Sequence, residues 1–477
     1  MPKLKFRFVF YITAMLIVYS ATTAIAQQYV IENTITGMQL PVSFAFLPNN
    51  NVIVTLKQSS AKIYNTNNTE ISTFWNFADS LNSQTEQGVL GVTLDPLYSS
   101  NRYIYIYYVH SFPPNSQSNH RLRVVRFTEN NNTGTNPFIV FDYLAGTIGG
   151  NHVGGNLNIG RDGKLYITIG ETGVQSNAQL LTNPRGKILR LNPDGTIPSD
   201  NPFYDDGNPV SGNDDRIWVY GLRNSFDFCI SPFNDSIYAT ENGPTDNDEI
   251  NFIRKGKNYG WPVCSGYCTP FNPAYRQPMT IFSSPLLPAL TGIIIYNGSL
   301  MPELNNKIIA ASSNTHVNGY IYRCDPGNAP FYDTIVSKSQ LADLRGISDL
   351  AQGPDGNIYA LGILSGILYK IGPNTSSVQE NSLPLGFLLE QNYPNPFNPV
   401  TKINFSIYPQ ESGIKPQIVK LSVFDVLGKE SAVLVNSVLR PGNYSVEWNA
   451  AGFPCGVYFC SLSTGEKSLQ KKMVLIK

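Results

Sequence analysis

Histidine is scarce in this chain of 477 residues, and one of its four histidines sits where chemistry could be done. His152 lies in Gly149-Gly150-Asn151-His152-Val153-Gly154-Gly155-Asn156, directly before a strand-like run. Glycine lets backbone and ligand approach closely. An imidazole suits a general base that takes a hydroxyl proton near neutral pH. Glu171, beyond the apolar run Leu165–Gly170, is placed to orient it. A second constellation runs from Gly221 to Pro262. Arg223 and Asn224 stand side by side. Glu241, Asp246, Asp248 and Glu249 then set four carboxylates within nine residues, around a Gly243-Pro244 step that turns the chain. Carboxylates and carbonyls at that density are what a hard cation such as Ca²⁺ prefers. The plainer readings are a structural histidine and a solvated acidic loop. His110, His120 and His316 read as loop residues and receive no role. G-x-S-x-G, H-E-x-x-H, Walker A and C-x-x-C patterns are absent, and no helix follows Gly149–Gly155 as a dinucleotide fingerprint requires.

The elements that must hold these residues are short strands between turns. Turn signals precede Val52–Val54, Tyr103–Tyr107, Leu165–Ile167, Ile237-Tyr238, Lys307–Ile309 and Ile358–Ala360. Several units continue into a second alternating strand, as in Ala61–Tyr64, Val124–Phe127, Lys187–Leu191, Tyr320–Arg323 and Ile367–Lys370. Six turn-strand-turn-strand units over roughly 350 residues predict an all-β fold, a six-bladed β-propeller over residues 27–372, with its site on the loops. A large β-sandwich is the competing fold. Residues 373–386 are polar and read as a linker. Residues 387–477 carry five short strand patterns, Lys402–Ile407, Val419–Asp425, Asn443–Trp448, Gly456–Leu462 and Lys472–Ile476, which predict a small β-sandwich.

Composition narrows the function classes. Charge is balanced, 34 basic against 34 acidic residues, with no basic run, which argues against nucleic acid as the main partner. Residues 1–26 read as a secretory signal peptide: Lys3, Lys5 and Arg7, an apolar stretch from Phe8 to Tyr19, then Ala24-Ile25-Ala26. That stretch is too short to span a bilayer, and no other run predicts a transmembrane segment. Six cysteines in an oxidising compartment make Cys264/Cys268 and Cys455/Cys460 candidate disulfides, with Cys229 and Cys324 as buried small hydrophobes.

Residues from about 40 to 371 resemble the soluble glucose/sorbosone dehydrogenases, six-bladed propellers that use pyrroloquinoline quinone (PQQ) with Ca²⁺. The resemblance is carried by Gln87–Pro96, Asn151-His152 with Gly155-Asn156-Leu157, Gly186–Leu191, Gly221–Asn224, Glu241–Asn251 and Asn258–Pro262. It implies that His152 takes the proton of a sugar anomeric hydroxyl while hydride passes to the quinone C5. It implies that Arg223 and Asn224 contact quinone or substrate oxygens and that Asp248 helps bind the cofactor. Backbone carbonyls of Gly243 and Pro244 would ligate one Ca²⁺, and Glu249 with the backbone of Tyr259 a second. Departures from the family pattern are Glu171 for Asp, Asn242 for Gln or His, and Val317-Asn318 near the place of a fifth-blade Lys. Arg345 is displaced, with Ser348 where one of a pair of arginines is expected.

The C-terminal region resembles the type A sorting domain of the type IX secretion system, through Leu389–Pro399, Val423–Glu430, Gly456–Phe459 and Lys471–Met473. That implies passage across an outer membrane to the cell surface or the medium. The leading expectation is an exported PQQ- and calcium-dependent aldose dehydrogenase that makes a lactone. The alternative is a non-catalytic propeller of the same descent that binds a carbohydrate or protein at the cell surface. A calcium-dependent lactone hydrolase is a third reading, which the motif order does not favour.

Overall fold

The computed structural model describes residues 29–374 and 387–476, apart from 117, 148, 245–246, 284–287, 315–319, 328–332, 408–416, 441 and 465–466. The expected signal peptide, Asp246, His316, Val317, Asn318 and nearly all of the expected linker lie outside the described residues. The chain divides into two units, Met1–Asn374 and Thr375–Lys477.

Among the described residues of the first unit there are six antiparallel four-stranded sheets. The first blade begins on Pro41–Phe46, the second on Val89–Leu94, the third on Leu157–Ile159, the fourth on Ser225–Ile230, the fifth on Leu290–Ile295 and the sixth on Ile347–Gln352. These innermost strands pack against one another in a ring that closes from sixth to first, so the fold is a six-bladed β-propeller. Strands legible in the sequence are mostly the second of each blade. Val52–Leu56, Leu165–Ile169, Ile237–Glu241, Ile308–Ser312 and Ile358–Gly362 are buried along their whole length, because neighbouring blades cover both faces. Each fully buried Val, Leu or Ile contributes about 1.5–3 kcal/mol, and these strands supply much of that term.

The closing strand was not expected. Tyr29–Ile35 forms the outer strand of the sixth blade, with Ile31 opposite Ile371 and Tyr29 opposite Pro373. Only its two ends are buried, so it lacks the alternation that marks a strand, and its partner lies more than 300 residues away. Two further corrections concern acidic and histidine residues first read as loop. Glu241 ends the strand Ile237–Glu241, and Asp248 and Glu249 begin the strand Asp248–Ile253. His110 ends one strand and His120 begins the next.

The second unit is a sandwich. One sheet holds Phe387–Leu389, Val400–Ile407 and Gly442–Asn449; the other holds Glu430–Leu439, Gln417–Phe424, Gly456–Thr464 and Lys467–Leu475. Phe397, Phe405, Leu421 and Trp448 fill the space between them. Phe387–Leu389 and Glu430–Leu439 add to the five expected strands. The Cys455/Cys460 pairing does not form: Cys455 is exposed, whereas Cys460 faces the core from its strand. The Cys264–Cys268 disulfide does form.

Candidate functional site

The inner strands begin at one end of the propeller axis, and the loops that deliver them enclose a pit of about 390 Å³. Every blade contributes: Val42 and Lys57, then Thr85 and Glu86, then His152, then Arg223, Asn224, Asn242 and Gly243, then Thr291 and Ser313, then Ser348 and Ile363. That volume lies in the range of small-molecule pockets. A slightly larger cavity, about 450 Å³, lies where the same strands end, but it holds none of the residues expected to do chemistry. Size therefore does not select the site; the side chains do.

His152 is held from three sides. Its N–H donates to Glu86 Oε2 at 2.7 Å. Its carbonyl accepts from Thr172 N–H at 2.9 Å. Gly154 N–H, two residues on, donates to Asn224 Oδ1 at 3.2 Å. The backbone of His152 is left-handed, φ +58°, a conformation that costs a non-glycine residue of order 1–3 kcal/mol and persists only where its surroundings enforce it. Two glycines make the enforcement possible. A Cβ on Gly154, at φ +77°, would lie 2.2 Å from Thr168 O, and one on Gly170 would lie 2.2 Å from His152 O.

The ring is fixed as firmly as the backbone. His152 Nδ1 lies 2.7 Å from Glu171 Oε1, and Gly173 N–H donates to Glu171 Oε2 at 2.6 Å. Glu171 is buried. The carboxylate accepts from Nδ1–H, which sets the tautomer and leaves Nε2 as the acceptor nitrogen. The longer Glu171 thus reaches the histidine without difficulty, despite the extra methylene.

Arg223 and Asn224 are pinned by the first carboxylate of the acidic hairpin. Glu241 Oε1 accepts from both backbone N–H groups, at 2.7 and 2.6 Å. Arg223 Nη1 donates to Asn242 O at 2.9 Å, and its guanidinium lies over Trp261, 5.5 Å from the ring centre. Asn242 Nδ2 donates to Leu290 O in the next blade. Asp248 Oδ1 accepts from Gly243 N–H at 2.8 Å, and Oδ2 from Leu290 N–H at 3.3 Å, so this carboxylate ties the hairpin tip to the fifth blade. Burial raises its pKa.

Glu241 and Glu249 stand directly opposite each other on the paired strands. Both are buried. Like charges in that register repel. Burial, then the charge of Glu249, pushes Glu241 up to about 8; burial pushes Glu249 up to about 7. Glu249 is partly met, by Gly266 N–H at 2.6 Å on Oε1 and Asn251 Nδ2 at 2.9 Å on Oε2. Glu241 Oε2 is buried and has no hydrogen-bond partner. Beside it lies a cavity of about 10 Å³ lined by Arg223, Glu241, Gly243, Glu249, Tyr259 and Ser265, among others. That is room for a single water or ion.

Not every expected residue joins the site. Arg345 is exposed, makes an ion pair with Asp343 at 3.3 Å and lines neither cavity; Ser348 lines the pit instead. Pro244 is exposed and lines neither cavity. Lys57, Thr85 and Glu86 were not anticipated. Glu86 stands one residue before the motif at Gln87, which was the available signal. Lys57 opens the turn after the strand Val52–Leu56 of the first blade and gave none. Its Nζ donates to Ser83 O at 2.8 Å, and burial lowers its pKa.

Fold and site together define a six-bladed propeller with a histidine–glutamate pair in an axial pit and an acidic hairpin at its rim. The glucose/sorbosone dehydrogenase family matches residues 38–368, and the chain belongs to that family. The secretion system C-terminal sorting domain matches residues 391–477. The chain is 31% identical over 356 residues to the uncharacterized protein slr1608 of Synechocystis sp., spanning 69% of this chain and 82% of that one. It is 28% identical over 385 residues to the aldose sugar dehydrogenase YliI of Escherichia coli, spanning 76% and 98%. The solved apo-form of the soluble aldose sugar dehydrogenase from Escherichia coli superposes with a TM-score of 0.63 at 26% identity, covering 72% of this chain and 100% of that one. The PQQ-bound aldose sugar dehydrogenase from Streptomyces coelicolor shares the fold, with a TM-score of 0.59 at 22% identity over 72% and 98% of the two chains. The sorting domain indicates type IX export to the cell surface or the medium. Among the described residues no helix is long and apolar enough to cross a membrane.

Proposed function

We propose that the chain is an exported aldose dehydrogenase that converts a sugar's anomeric hydroxyl to the lactone, with PQQ and Ca²⁺. The observation that carries this is the His152–Glu171 pair in a pit of cofactor size. The residues fit the cofactor: Lys57 and Arg223 supply cations to an anionic quinone, and Asn224 and Asn242 supply amide groups. They also fit calcium: the unpartnered Glu241 Oε2, opposite Glu249 and beside an ion-sized space, offers the carboxylate oxygen that a hard cation takes. Glu249 and the carbonyl of Tyr259 would hold one ion, and the carbonyl of Gly243 a second. When bound, PQQ supplies a two-electron acceptor for the hydride, and calcium polarises it.

The chain's own residues do the rest. His152 Nε2 accepts the hydroxyl proton, and Glu171 holds the imidazolium that results. Arg223 stabilises negative charge that develops on oxygen. Asn224 braces both the histidine loop and Glu86, whose Oε2 it meets at 3.3 Å. The non-catalytic reading, a surface module that binds carbohydrate or protein, is favoured by one observation: Arg345 lies outside the pit, which leaves a weaker grip on carboxylates.

Dye-linked oxidation of a panel of aldoses, with purified protein plus PQQ and Ca²⁺, tests the proposal. His152→Ala should lower kcat by about 10²–10⁴-fold and leave PQQ affinity intact. Failure to bind PQQ at micromolar concentration would overturn the enzyme reading in favour of the binding module.

A further inference from the structure

The fourth blade carries a long excursion between Ile253 and Thr280, and the Cys264–Cys268 disulfide closes a tight turn within it, with a sequence separation of 4. The turn sits on the Glu241/Glu249 cavity: Cys264 and Ser265 form part of its wall. Between the two cysteines, Gly266 is left-handed at φ +73° and buried, and its N–H donates to Glu249 Oε1 at 2.6 Å. The base of the turn is tied down by Cys268 N–H donating to Gln277 Oε1 at 2.9 Å and by Cys264 N–H donating to Gly260 O at 2.9 Å. The same turn therefore supplies a wall of the cavity and the hydrogen bond that aims one of its carboxylates.

We propose that the Cys264–Cys268 disulfide is the latch of this cation site, so that a divalent, oxygen-liganded ion is held tightly only in the oxidised protein. The inference rests on reading the Glu241/Glu249 cavity as a calcium site. Opening the latch needs two electrons and two protons: a dithiol reductant breaks the S–S bond, the two cysteines leave as thiols, and the reductant becomes a disulfide. Without the bond, five residues must be ordered by hydrogen bonds alone, and Gly266 loses the constraint that presents its N–H to Glu249. An outer-sphere hydrogen bond of this kind typically changes metal affinity by about 10- to 100-fold. The chain's other cysteines do not interfere: Cys229, Cys324 and Cys460 are buried, and the exposed Cys455 can be blocked beforehand.

The test is a calcium titration of the full mature chain, read by the rise in Tm and by calorimetry. It is run on the oxidised protein, on the same protein reduced with a dithiol and alkylated, and on Cys264→Ser with Cys268→Ser. The expected result is calcium binding by the oxidised protein that weakens at least about tenfold in the other two. Reoxidation of a reduced, unalkylated sample should restore it, which keeps the test decisive where the double variant fails to fold. Equal affinity in oxidised and reduced protein overturns the latch and leaves the calcium site standing. Absence of any calcium effect in the oxidised protein, with Glu249→Gln indistinguishable from it, overturns the calcium reading and the latch with it.

Discussion

Two of the propeller's pairs of buried carboxylates are built in opposite ways. Glu241 and Glu249 face each other beside the pit; Asp227 and Asp349 project from inner strands of the fourth and sixth blades into the cavity at the other end of the axis. Burial raises the pKa of all four. What differs is what their oxygens touch. Asp227 accepts from Phe228 N–H at 2.7 Å, Ile293 N–H at 2.9 Å and the Asn156 side chain. Asp349 accepts from Leu350 N–H at 2.7 Å and from Phe44 N–H at 3.0 Å. Both aspartates thereby clamp one blade to the next, and Asp349 does so across the joint where the ring closes. Glu241 keeps an oxygen with no partner. A raised pKa is common to a clamp and a ligand site; unmet acceptor capacity beside an ion-sized space separates them.

The largest expected effect breaks the clamp. Asp349→Ala leaves two buried N–H groups without an acceptor and should cost on the order of 2–5 kcal/mol in urea unfolding, with or without calcium. Rescue by calcium would erase the distinction between the pairs. Next in size is chelation. Wild-type protein in calcium at about 100 times its Kd should lose about 2.7 kcal/mol when chelator is added, and Glu241→Gln should be nearly insensitive to chelator.

A smaller effect separates the pairs by pH. Burial pushes Asp349 up to about 7 from an ordinary 3.8, and burial with the charge of Asp349 raises its neighbour Asp227 as well. In that window the folded protein holds a proton that the unfolded chain has lost, so stability falls as pH rises and the contribution is gone above about pH 7. Asp349→Asn should reduce this slope in urea unfolding followed across the window, by the same amount with and without saturating calcium, whereas calcium should remove the part of the slope that Glu241 and Glu249 add.

The sequence showed some parts of the site and hid others for physical reasons. His152 and Glu171 lie 19 residues apart, at the two ends of the hairpin of strands Leu157–Ile159 and Leu165–Ile169, a local relation that glycine pattern and strand length can reveal. The acidic hairpin was misread as a loop because Glu241, Asp248 and Glu249 carry strand-disfavouring charge; their burial depends on the neighbouring blade and the disulfide turn. Lys57 and Glu86 reach the pit from the first blade and the loop entering the second, and only the packing of successive blades brings them to His152. The strand Tyr29–Ile35 needs the ring itself to close. Arg345 was assigned by position along the chain, and its side chain turns instead to Asp343.

The most direct test of the account is calcium anomalous scattering from crystals of the protein grown with Ca²⁺. The account predicts a peak between Glu241 Oε2 and Glu249, and none between Asp227 and Asp349. No density beside Glu241, or an ion held by the two aspartates, would contradict it.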